Sequence, residues 1–413
     1  MAQKHILVVS QYFYPEQFRI NDMCREWVKK GYRITVLTGI PNYPQGKFYK
    51  GYGWFKRRHE VVDGMEIIRI PLLARGHSAV GLIFNYFSFV ISGWFWKIFT
   101  HLKADRVFIF EVSPMTQALV GIWYAKRRKI PCDLYVQDLW PENVEIITGV
   151  HNRVVLGLIG RMVDYIYKRC TVIFAASPSF VQKIQQRLGK GKEKVLFLPQ
   201  YAEDFYCPSS VKSQLVPDDA RFKVAFTGNI GQAQGLDILP RTAGLLRERG
   251  RDVLFVIVGD GRYKDKLQAE VIEHGVETEM LFINRQSPEE IPAILASCDA
   301  AFISFMNNEL FNGTIPAKLQ SYMACGMPIV AAAQGETRRI VEEAECGVCC
   351  SIGDSQALAD AVERLMDGDD LMRLSENALA YSRVHFDKDN ILNTVSAVWS
   401  GVEWEEVSTE EID

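Results

Sequence analysis

The 413-residue sequence lacks the short motifs that identify many nucleotide-binding proteins at sight. It has no complete G-x-G-x-x-G dinucleotide fingerprint and no G-x-x-x-x-G-K-[ST] phosphate loop, which disfavours a Rossmann dehydrogenase and a kinase-like protein. It also has little net charge, −3 at neutral pH, so a nucleic acid is not an expected partner.

The nine cysteines are scattered and form no pair of CxxC motifs. The cluster of Cys346, Cys349 and Cys350 has no further His or Cys at metal-ligand spacing, so we expect no zinc site there. The first apolar run, residues 6–10, has no signal-peptide pattern, and we therefore expect a protein of the reducing cytoplasm.

Apolar runs of strand length alternate with longer helical patterns along the chain. This alternation predicts an α/β protein with parallel sheets covered on both faces, and the length predicts two domains. A stretch rich in proline and acidic residues, interpreted as a linker over 201–220, separates residues 1–200 from residues 221–384. The predicted strands are 6–9, 34–37, 106–110, 133–137, 172–176 and 195–198, then 224–226, 253–258, 280–283, 300–303 and 329–331.

Glycine turns mark a candidate anion site in the second half of the chain. Turns at residues 228–235 and 259–262 follow apolar runs, and a third, from Gly313, opens a helix that leads into a buried strand. Loops at the carboxyl ends of parallel strands meet at one ligand site. Lys318, in the first helical turn, would add a charge to free backbone N–H groups that favour a phosphate. An ordinary helix start with a solvated lysine is the alternative.

Several segments together resemble a known family. They are residues 12–16 (YFYPE), 31–38, 41–44 (PNYP), 138–142 (DLWPE), 228–235, 259–262 and 313–330. On these segments, nearly the whole chain resembles the family 4 glycosyltransferases, which are retaining enzymes. Within that family it is most similar to the bacterial surface-polysaccharide branch, which includes N-acetylfucosamine transferases.

The resemblance implies a GT-B fold, in which two Rossmann-like, doubly wound parallel-sheet domains face a cleft. Residues 1–200 would bind the acceptor and residues 221–384 the nucleotide sugar. A C-terminal helix within 385–405 would cross back to complete the first domain, and residues 405–413 would form a flexible tail.

The implied activity is retaining transfer of a sugar, with an acetamido sugar expected, from a UDP-sugar to a polyprenyl-pyrophosphate-linked saccharide. Such transfer serves O-antigen, lipopolysaccharide, capsule or exopolysaccharide synthesis, without a metal, at the cytoplasmic face of the bacterial inner membrane. Two alternatives stay open. One is a UDP-sugar 2-epimerase of GT-B fold, and the other is a non-catalytic nucleotide-sugar-binding partner of a glycosyltransferase complex.

Three residues are predicted to act in catalysis. Lys318 and Arg262 would neutralise the charge that develops on the leaving phosphate. Asp138 follows an apolar run and would contact the acceptor or the donor sugar, or else cap the next helix. Donor-binding positions implied by the resemblance are Gly228, Asn229, Ile230, Gly231, Gln234, Gly259, Asp260, Gly261, Arg285, Gln286, Gly313, Thr314, Ile315, Pro316, Leu319 and Ser321.

The acceptor site is predicted from residues of the first domain. Its expected members are Tyr14, Pro15, Arg19, Asn42, Tyr43, Trp140 and Glu142. Trp140 would offer an aromatic face to a sugar ring, with a packed indole as the alternative. The sequence departs from the family where Gly313 and Ser321 replace two common glutamates and Gln137 replaces a common histidine.

Residues 80–99 form a strongly apolar segment that is long enough to span a bilayer. Asn85, Ser88, Ser92 and Gly93 interrupt it, and basic residues lie on both sides. We therefore interpret it as a packed or interfacial helix rather than a membrane span, which suits a peripheral membrane enzyme.

Overall fold

The computed structural model describes residues 3–76, 78–149, 151–368 and 370–401. The chain forms two compact units. The first contains the residues up to Leu198 and the chain from Leu392, and the second is Pro199–Ile391. The predicted tail, residues 405–413, lies outside the described residues.

The first unit is built on a sheet of eight described strands in the order β3-β4-β2-β1-β5-β6-β7-β8. All neighbouring pairs are parallel except the edge pair β3 and β4. The strands are β1 His5–Val9, β2 Arg33–Gly39, β3 His59–Val62, β4 Met65–Ile70, β5 Arg106–Glu111, β6 Cys132–Val136, β7 Val172–Ala175 and β8 Val195–Phe197.

Helices connect the parallel strands of this sheet. They are α1 Arg19–Lys29, α2 Ala79–Phe99, α3 Ala118–Arg128, α4 Glu142–Thr148, α5 Arg153–Arg169 and α6 Pro178–Leu188, with short 3-10 helices at Met115–Gln117 and Lys192–Lys194. Right-handed crossovers place the helices that follow β4, β5, β6 and β7 on one face of the sheet. In agreement, α2 packs on α3, α3 on α5, and α5 on α6.

The second unit has a six-stranded parallel sheet among its described residues, in the order β11-β10-β9-β12-β13-β14. Its strands are β9 Phe222–Asn229, β10 Val253–Asp260, β11 Met280–Ile283, β12 Ala300–Ser304, β13 Ile329–Ala332 and β14 Gly347–Cys350. Its helices are α7 Leu239–Glu248, α8 Lys264–Glu273, α9 Ile291–Leu295, α10 Glu309–Asn312, α11 Ala317–Ala324, α12 Gly335–Glu343, α13 Ser355–Asp367 and α14 Leu371–His385, with 3-10 helices at Gln232–Gln234, Leu236–Ile238, Glu277–Glu279 and Pro288–Glu290. Two buried apolar clusters cover the faces of this sheet.

The last helix, α15 Lys388–Ser400, ends in the first unit. Its Trp399 ring centroid lies 4.6 Å from that of Trp27 and 5.8 Å from that of Phe108. The indole Nε1 donates to Asp133 Oδ2 at 3.0 Å, so the end of α15 is held by both aromatic packing and a buried hydrogen bond.

The structure confirms two parallel-sheet α/β domains and adds strands that the sequence analysis did not predict. β3 and β4 form a hairpin around Asp63 and Gly64, whose φ angles are 49° and 77°. An Asp-Gly pair is favoured in two-residue turns that need positive φ at both positions, so the signal was present. β14 is short and ends in two cysteines, and its apolar pattern was too weak to mark a strand.

The segment interpreted as a linker, residues 201–220, belongs to the second unit. The Val216 side chain is buried there, and the Ser213 backbone N–H donates to the Ala293 carbonyl at 3.1 Å.

Candidate active site

The carboxyl ends of β9 and β10 pair closely through two glycines. Gly228 and Gly259 are register partners with φ angles of 136° and 148°. A Cβ atom on Gly259 would lie 1.8 Å from the Gly228 carbonyl oxygen, whereas a Cβ atom on Gly228 would have no heavy atom within 4 Å. Gly259 is therefore required by close packing, whereas Gly228 borders open space that a ligand can enter.

The two glycine turns form one structure. Ile230 N–H donates to the Asp260 carbonyl at 2.8 Å, and Tyr263 N–H donates to the Ile230 carbonyl at 3.0 Å. A Cβ atom on Gly261 would lie 2.2 Å from that Ile230 oxygen. The structure thus brings the predicted turns at 228–231 and 259–261 together at one edge of the sheet.

Helix α11 brings the predicted lysine to the same place. Lys318 Nζ donates a hydrogen bond to Gln234 Oε1 and lies 3.9 Å from the centroid of the Phe226 ring. One turn further along α11, the buried Tyr322 hydroxyl accepts from the Thr227 N–H at 2.8 Å. These contacts tie the start of α11 to the end of β9 and place the amine beside the Gly228 turn.

The electrostatics of Lys318 differ from those of a solvated lysine. Burial lowers the pKa of its amine to about 7, because the charged form loses hydration. Desolvation is the only cause of this shift, so no carboxylate among the described residues compensates the charge of the amine. A bound anion would supply the missing countercharge, which favours an anion site over the alternative of an ordinary solvated lysine.

The turn before α11 is supported by a segment that the sequence analysis missed. The Thr337 hydroxyl, on α12, donates to the Thr314 carbonyl at 3.0 Å. A Cβ atom on Gly335, where φ is 61°, would lie 1.9 Å from the Asn312 carbonyl oxygen. Gly335 comes shortly after strand β13, and a glycine after an apolar run is the sequence feature that could have indicated its role.

The other predicted donor residues take different positions. Ile230, Ile315 and Leu319 are buried, so their side chains belong to the core and only their backbone groups can reach a ligand. Asp260 accepts from the Gly261 N–H at 2.8 Å. The Ser321 hydroxyl donates to the Ala317 carbonyl at 3.2 Å within α11, so the structure does not direct it to the glycine turns around Lys318.

Arg262 was predicted as a second cation beside Lys318, but the structure shows no contact between these two described residues. Arg262 and Arg285 are both exposed. Gln286 Nε2 donates to the Asn284 carbonyl at 2.9 Å, and Lys264 Nζ donates to Asn284 Oδ1 at 2.8 Å. The segment after β11 is therefore organised by its own hydrogen bonds.

In the first unit, Asp138 and Trp140 hold the loop that follows β5. Asp138 Oδ2 accepts from the Ser113 N–H at 2.8 Å, and Trp140 Nε1 donates to Ser113 Oγ at 3.1 Å. The interpretation of Asp138 as a cap of the next helix is wrong, since α4 has Pro141 at its N-cap and no side-chain cap. Trp140 is only 6% exposed, which favours the packed indole over a sugar-stacking surface.

The predicted acceptor loops meet around a residue that the sequence analysis did not select. The Glu16 carboxylate accepts from the backbone N–H groups of Asn42 and Tyr43, both at 2.6 Å, and from Phe13 at 3.2 Å. Burial nevertheless raises the pKa of Glu16 to about 7. Asn42 is fully buried, so its predicted contact with an acceptor is wrong for the side chain.

The remaining acceptor candidates lie around this cluster or in the next loops. Tyr14 is 39% exposed and joined to Pro15 by a cis peptide bond. Tyr43 is half-buried, with the Arg75 guanidinium 5.0 Å from its ring centroid. Arg19 and Glu142 are the first residues of α1 and α4.

No group of three or more His, Cys, Asp or Glu side chains that could hold a metal ion occurs in the part of the chain that the structure describes. Of the two Asp-x-Asp triplets, the one at 387–389 begins a helix, where Asp387 accepts from the Asn390 N–H at 2.7 Å. In the other triplet, residue 369 lies outside the described residues.

Part of the chain matches a known protein family, and nearly the whole chain is similar to a known protein. Residues 210–381 match the family described as glycosyl transferases group 1. The putative colanic acid biosynthesis glycosyl transferase WcaI of Escherichia coli strain K12 is 26% identical over 421 residues, which cover 94% of this chain and 97% of that protein.

Solved structures match nearly the whole chain. A sucrose-phosphate synthase from Thermosynechococcus elongatus gives a TM-score of 0.77 at 14% identity, covering 97% of this chain and 99% of that one. Anabaena Alr3699/HepE in complex with UDP and glucose gives a TM-score of 0.71 at 16% identity, covering 97% and 100%. The chain therefore has the GT-B fold, and its residues 210–381 match the glycosyl transferases group 1 family.

Proposed function

We propose that this protein is a retaining glycosyltransferase of family 4 that uses a UDP-sugar donor, with an acetamido sugar expected. The acceptor in this proposal is a lipid-linked saccharide destined for a bacterial surface polysaccharide such as O-antigen. Support for the polysaccharide class comes from the full-length similarity to WcaI, whose name refers to colanic acid biosynthesis. Support for a uridine nucleotide comes from Alr3699/HepE, which was solved with UDP.

The observation that carries the proposal is the position of Lys318. Its amine is desolvated, has no carboxylate partner among the described residues, and lies next to the open side of the Gly228 turn. A nucleoside diphosphate needs positive charge where its β-phosphate departs. The amine and the free N–H groups at the start of α11 would supply that charge, so we expect no metal requirement.

The proposed reaction balances without a protein nucleophile. The bond between the anomeric carbon and the β-phosphate oxygen breaks, and the acceptor oxygen forms its bond to the same face of that carbon. The acceptor proton passes to the departing phosphate, which serves as the base. In this reaction Lys318 stabilises the leaving group, and Gln234 positions the amine.

Thermal unfolding with a ligand panel tests the donor assignment. A ligand that binds only the folded state raises the unfolding midpoint according to its affinity and concentration. We expect UDP and one or a few UDP-sugars, but not ADP or GDP, to raise it in the native protein. Lys318→Ala should reduce the shift strongly, and Lys212→Ala, which removes a lysine that is 65% exposed, should preserve it.

Transfer is then measured with the stabilising UDP-sugar and a polyprenyl-pyrophosphate-linked saccharide. Product with the α-anomeric configuration of the donor would support retention. A midpoint shift with guanine or adenine nucleotides alone would overturn the donor assignment. UDP-sugar binding without any product from a set of lipid-linked acceptors would favour a binding partner over an enzyme.

A further inference from the structure

Helix α2 presents a continuous apolar face to solvent. Exposed apolar side chains recur every three or four residues along its whole length and are 40–72% accessible. They are Val80, Ile83, Phe84, Phe87, Ile91, Trp94, Phe95 and Phe99. We call this set the α2 face. Isolated exposed apolar residues are normal in proteins, but a contiguous stripe of this length marks an interaction surface.

The opposite side of α2 is fixed within the first unit. Phe89 is fully buried, and a Cβ atom on Gly93 would lie 2.4 Å from a Val120 methyl group of α3. Asn85 is also fully buried, and its amide donates to the Leu73 carbonyl at 2.5 Å. Residues Val80–Phe99 are long and apolar enough to cross a membrane, but about a third of the segment is buried in the protein. Because that side is packed against the protein, we infer that α2 lies along a surface rather than across it.

Cations surround the C-terminal end of the α2 face. Residues 97–103 and 126–129 contain six lysines and arginines, and no aspartate or glutamate. Arg127 donates to the carbonyls of Lys97 and Ile98 at 2.7 Å, which holds the second basic segment against the end of α2. Lys97 Nζ lies 5.2 Å from the Trp123 ring centroid. Apolar side chains bordered by aromatic and basic residues are typical of a helix at the surface of an anionic bilayer.

A hydrogen-bond network connects α2 to the loop that carries Tyr43. Asn85 accepts from Gln11 Nε2 at 2.7 Å and donates to Asn42 Oδ1 at 3.4 Å. The Arg75 N–H, just before α2, donates to the same Asn42 oxygen at 3.0 Å. A surface that binds the α2 face would therefore lie close to the predicted acceptor loop.

We propose that the α2 face docks onto a bilayer surface rich in anionic phospholipid, with α2 parallel to that surface. This inference rests on the proposed function, because it places the lipid-linked acceptor beside the loop that would bind it. The density of cations around the face favours anionic lipid over a second copy of this chain, since lysine is depleted at interfaces between proteins.

Vesicle co-sedimentation tests this docking. The native full-length chain should sediment with vesicles of equal parts phosphatidylglycerol and phosphatidylethanolamine, and at least about tenfold more weakly with pure phosphatidylcholine vesicles. F87E/F95E, which places charges at two exposed positions of the α2 face, should weaken binding at least about tenfold. The matched control I272E/V384E alters exposed apolar residues of the second unit and should bind as the native chain does.

Two further measurements keep the result interpretable. Lys126→Ala with Lys129→Ala removes charge without touching α2 and should also weaken binding to the anionic vesicles. The UDP-induced rise in the unfolding midpoint should be the same in all variants, so docking and donor binding are tested separately. Absence of native binding to anionic vesicles, or undiminished binding by F87E/F95E, would overturn the proposal. A lipid-free dimer that F87E/F95E converts to a monomer in sedimentation velocity would also overturn it and assign the face to a second copy.

Discussion

Glu16 in the first unit is buried and Lys318 in the second is half-buried, and loss of hydration moves the pKa of each to about 7. Their surroundings differ. The Glu16 carboxylate receives three backbone N–H groups from two loops, at 2.6 to 3.2 Å. The Lys318 amine donates to one neutral amide oxygen, that of Gln234, and lies over the Phe226 ring.

The difference separates a group that is satisfied inside the protein from one that we propose binds a ligand. Because three internal donors already satisfy Glu16, it has little left to offer a ligand, and its main effect is to join residues 13–16 to residues 42–43. Lys318 has a cradle of glycine backbone beside it and no internal countercharge among the described residues. A desolvated cation without an anion is costly to the fold unless it binds one, and this favours a functional role.

The largest expected effect compares Lys318→Ala with Glu16→Gln in the transfer reaction. Lys318→Ala should lower kcat by about 10²–10³-fold, because a donor aimed at the developing charge contributes that much in comparable sites. Glu16→Gln should leave the UDP-induced midpoint shift unchanged and act on the acceptor KM. Steady-state kinetics at saturating donor measure kcat and the acceptor KM, and thermal unfolding with UDP measures the midpoint shift. A kcat for Lys318→Ala within threefold of the native value would contradict the assignment of the leaving-group cation.

The second prediction concerns the free energy of unfolding, which the substitution of Glu16 should lower more than the substitution of Lys318. Glu16→Gln should lower the free energy of unfolding by about 1–3 kcal/mol, because its amide nitrogen would face a backbone N–H that loses its acceptor. Lys318→Met at pH 6 should raise or preserve stability, since it removes a buried charge. Urea denaturation at pH 6 and 8 measures both. Glu142→Gln, at an exposed position, is the control and should change little.

The meeting of the glycine turns with Lys318 could be predicted because its elements are local. Glycines at the ends of β9 and β10 and a lysine in the first turn of α11 are visible in short windows of sequence. The contact between Lys318 and Gln234 was not visible, since 84 positions separate the two residues. The resemblance named Gln234 as a donor-binding position, and only the structure shows that it holds the amine.

Glu16 was missed for a related reason. Its partners are backbone groups as many as 27 positions away, and backbone groups carry no sequence signal. Asn42 and Trp140 were selected as polar and aromatic groups for an acceptor, but both side chains are buried and bonded internally. Residue type alone does not distinguish an outward-facing amide from one that holds a loop, and the difference depends on tertiary packing.

A third prediction uses pH to sharpen the role of Lys318 in binding. The amine must be protonated to pair with the diphosphate, and its pKa in the free protein is about 7. Between pH 7.5 and 9 the affinity for UDP should therefore fall by up to about tenfold per pH unit, with proton uptake on binding. Lys318→Arg stays charged throughout this range and should bind with little pH dependence. Calorimetry in buffers of different ionisation enthalpy gives affinity and proton uptake, and a flat native profile would contradict the shifted amine.

The last prediction is a pair of opposite slopes in stability against pH, each of which is small per pH unit. Glu16 has a folded-state pKa of about 7 against a usual value of 4.5, so between these values the folded chain holds a proton that the unfolded chain has lost. Stability should therefore fall as pH rises through this window, and Glu16→Gln should remove the fall.

Lys318 has a folded-state pKa of about 7 against a usual 10.5, so above pH 7 the unfolded chain holds the extra proton. Stability should rise through that window, and Lys318→Met should remove the rise, each slope being at most about 1.4 kcal/mol per pH unit. Subtracting each variant's curve of unfolding free energy against pH from the native curve cancels all other titrations. Difference curves whose slopes have the same sign for both residues would show that one of the two is ionised differently in the folded chain.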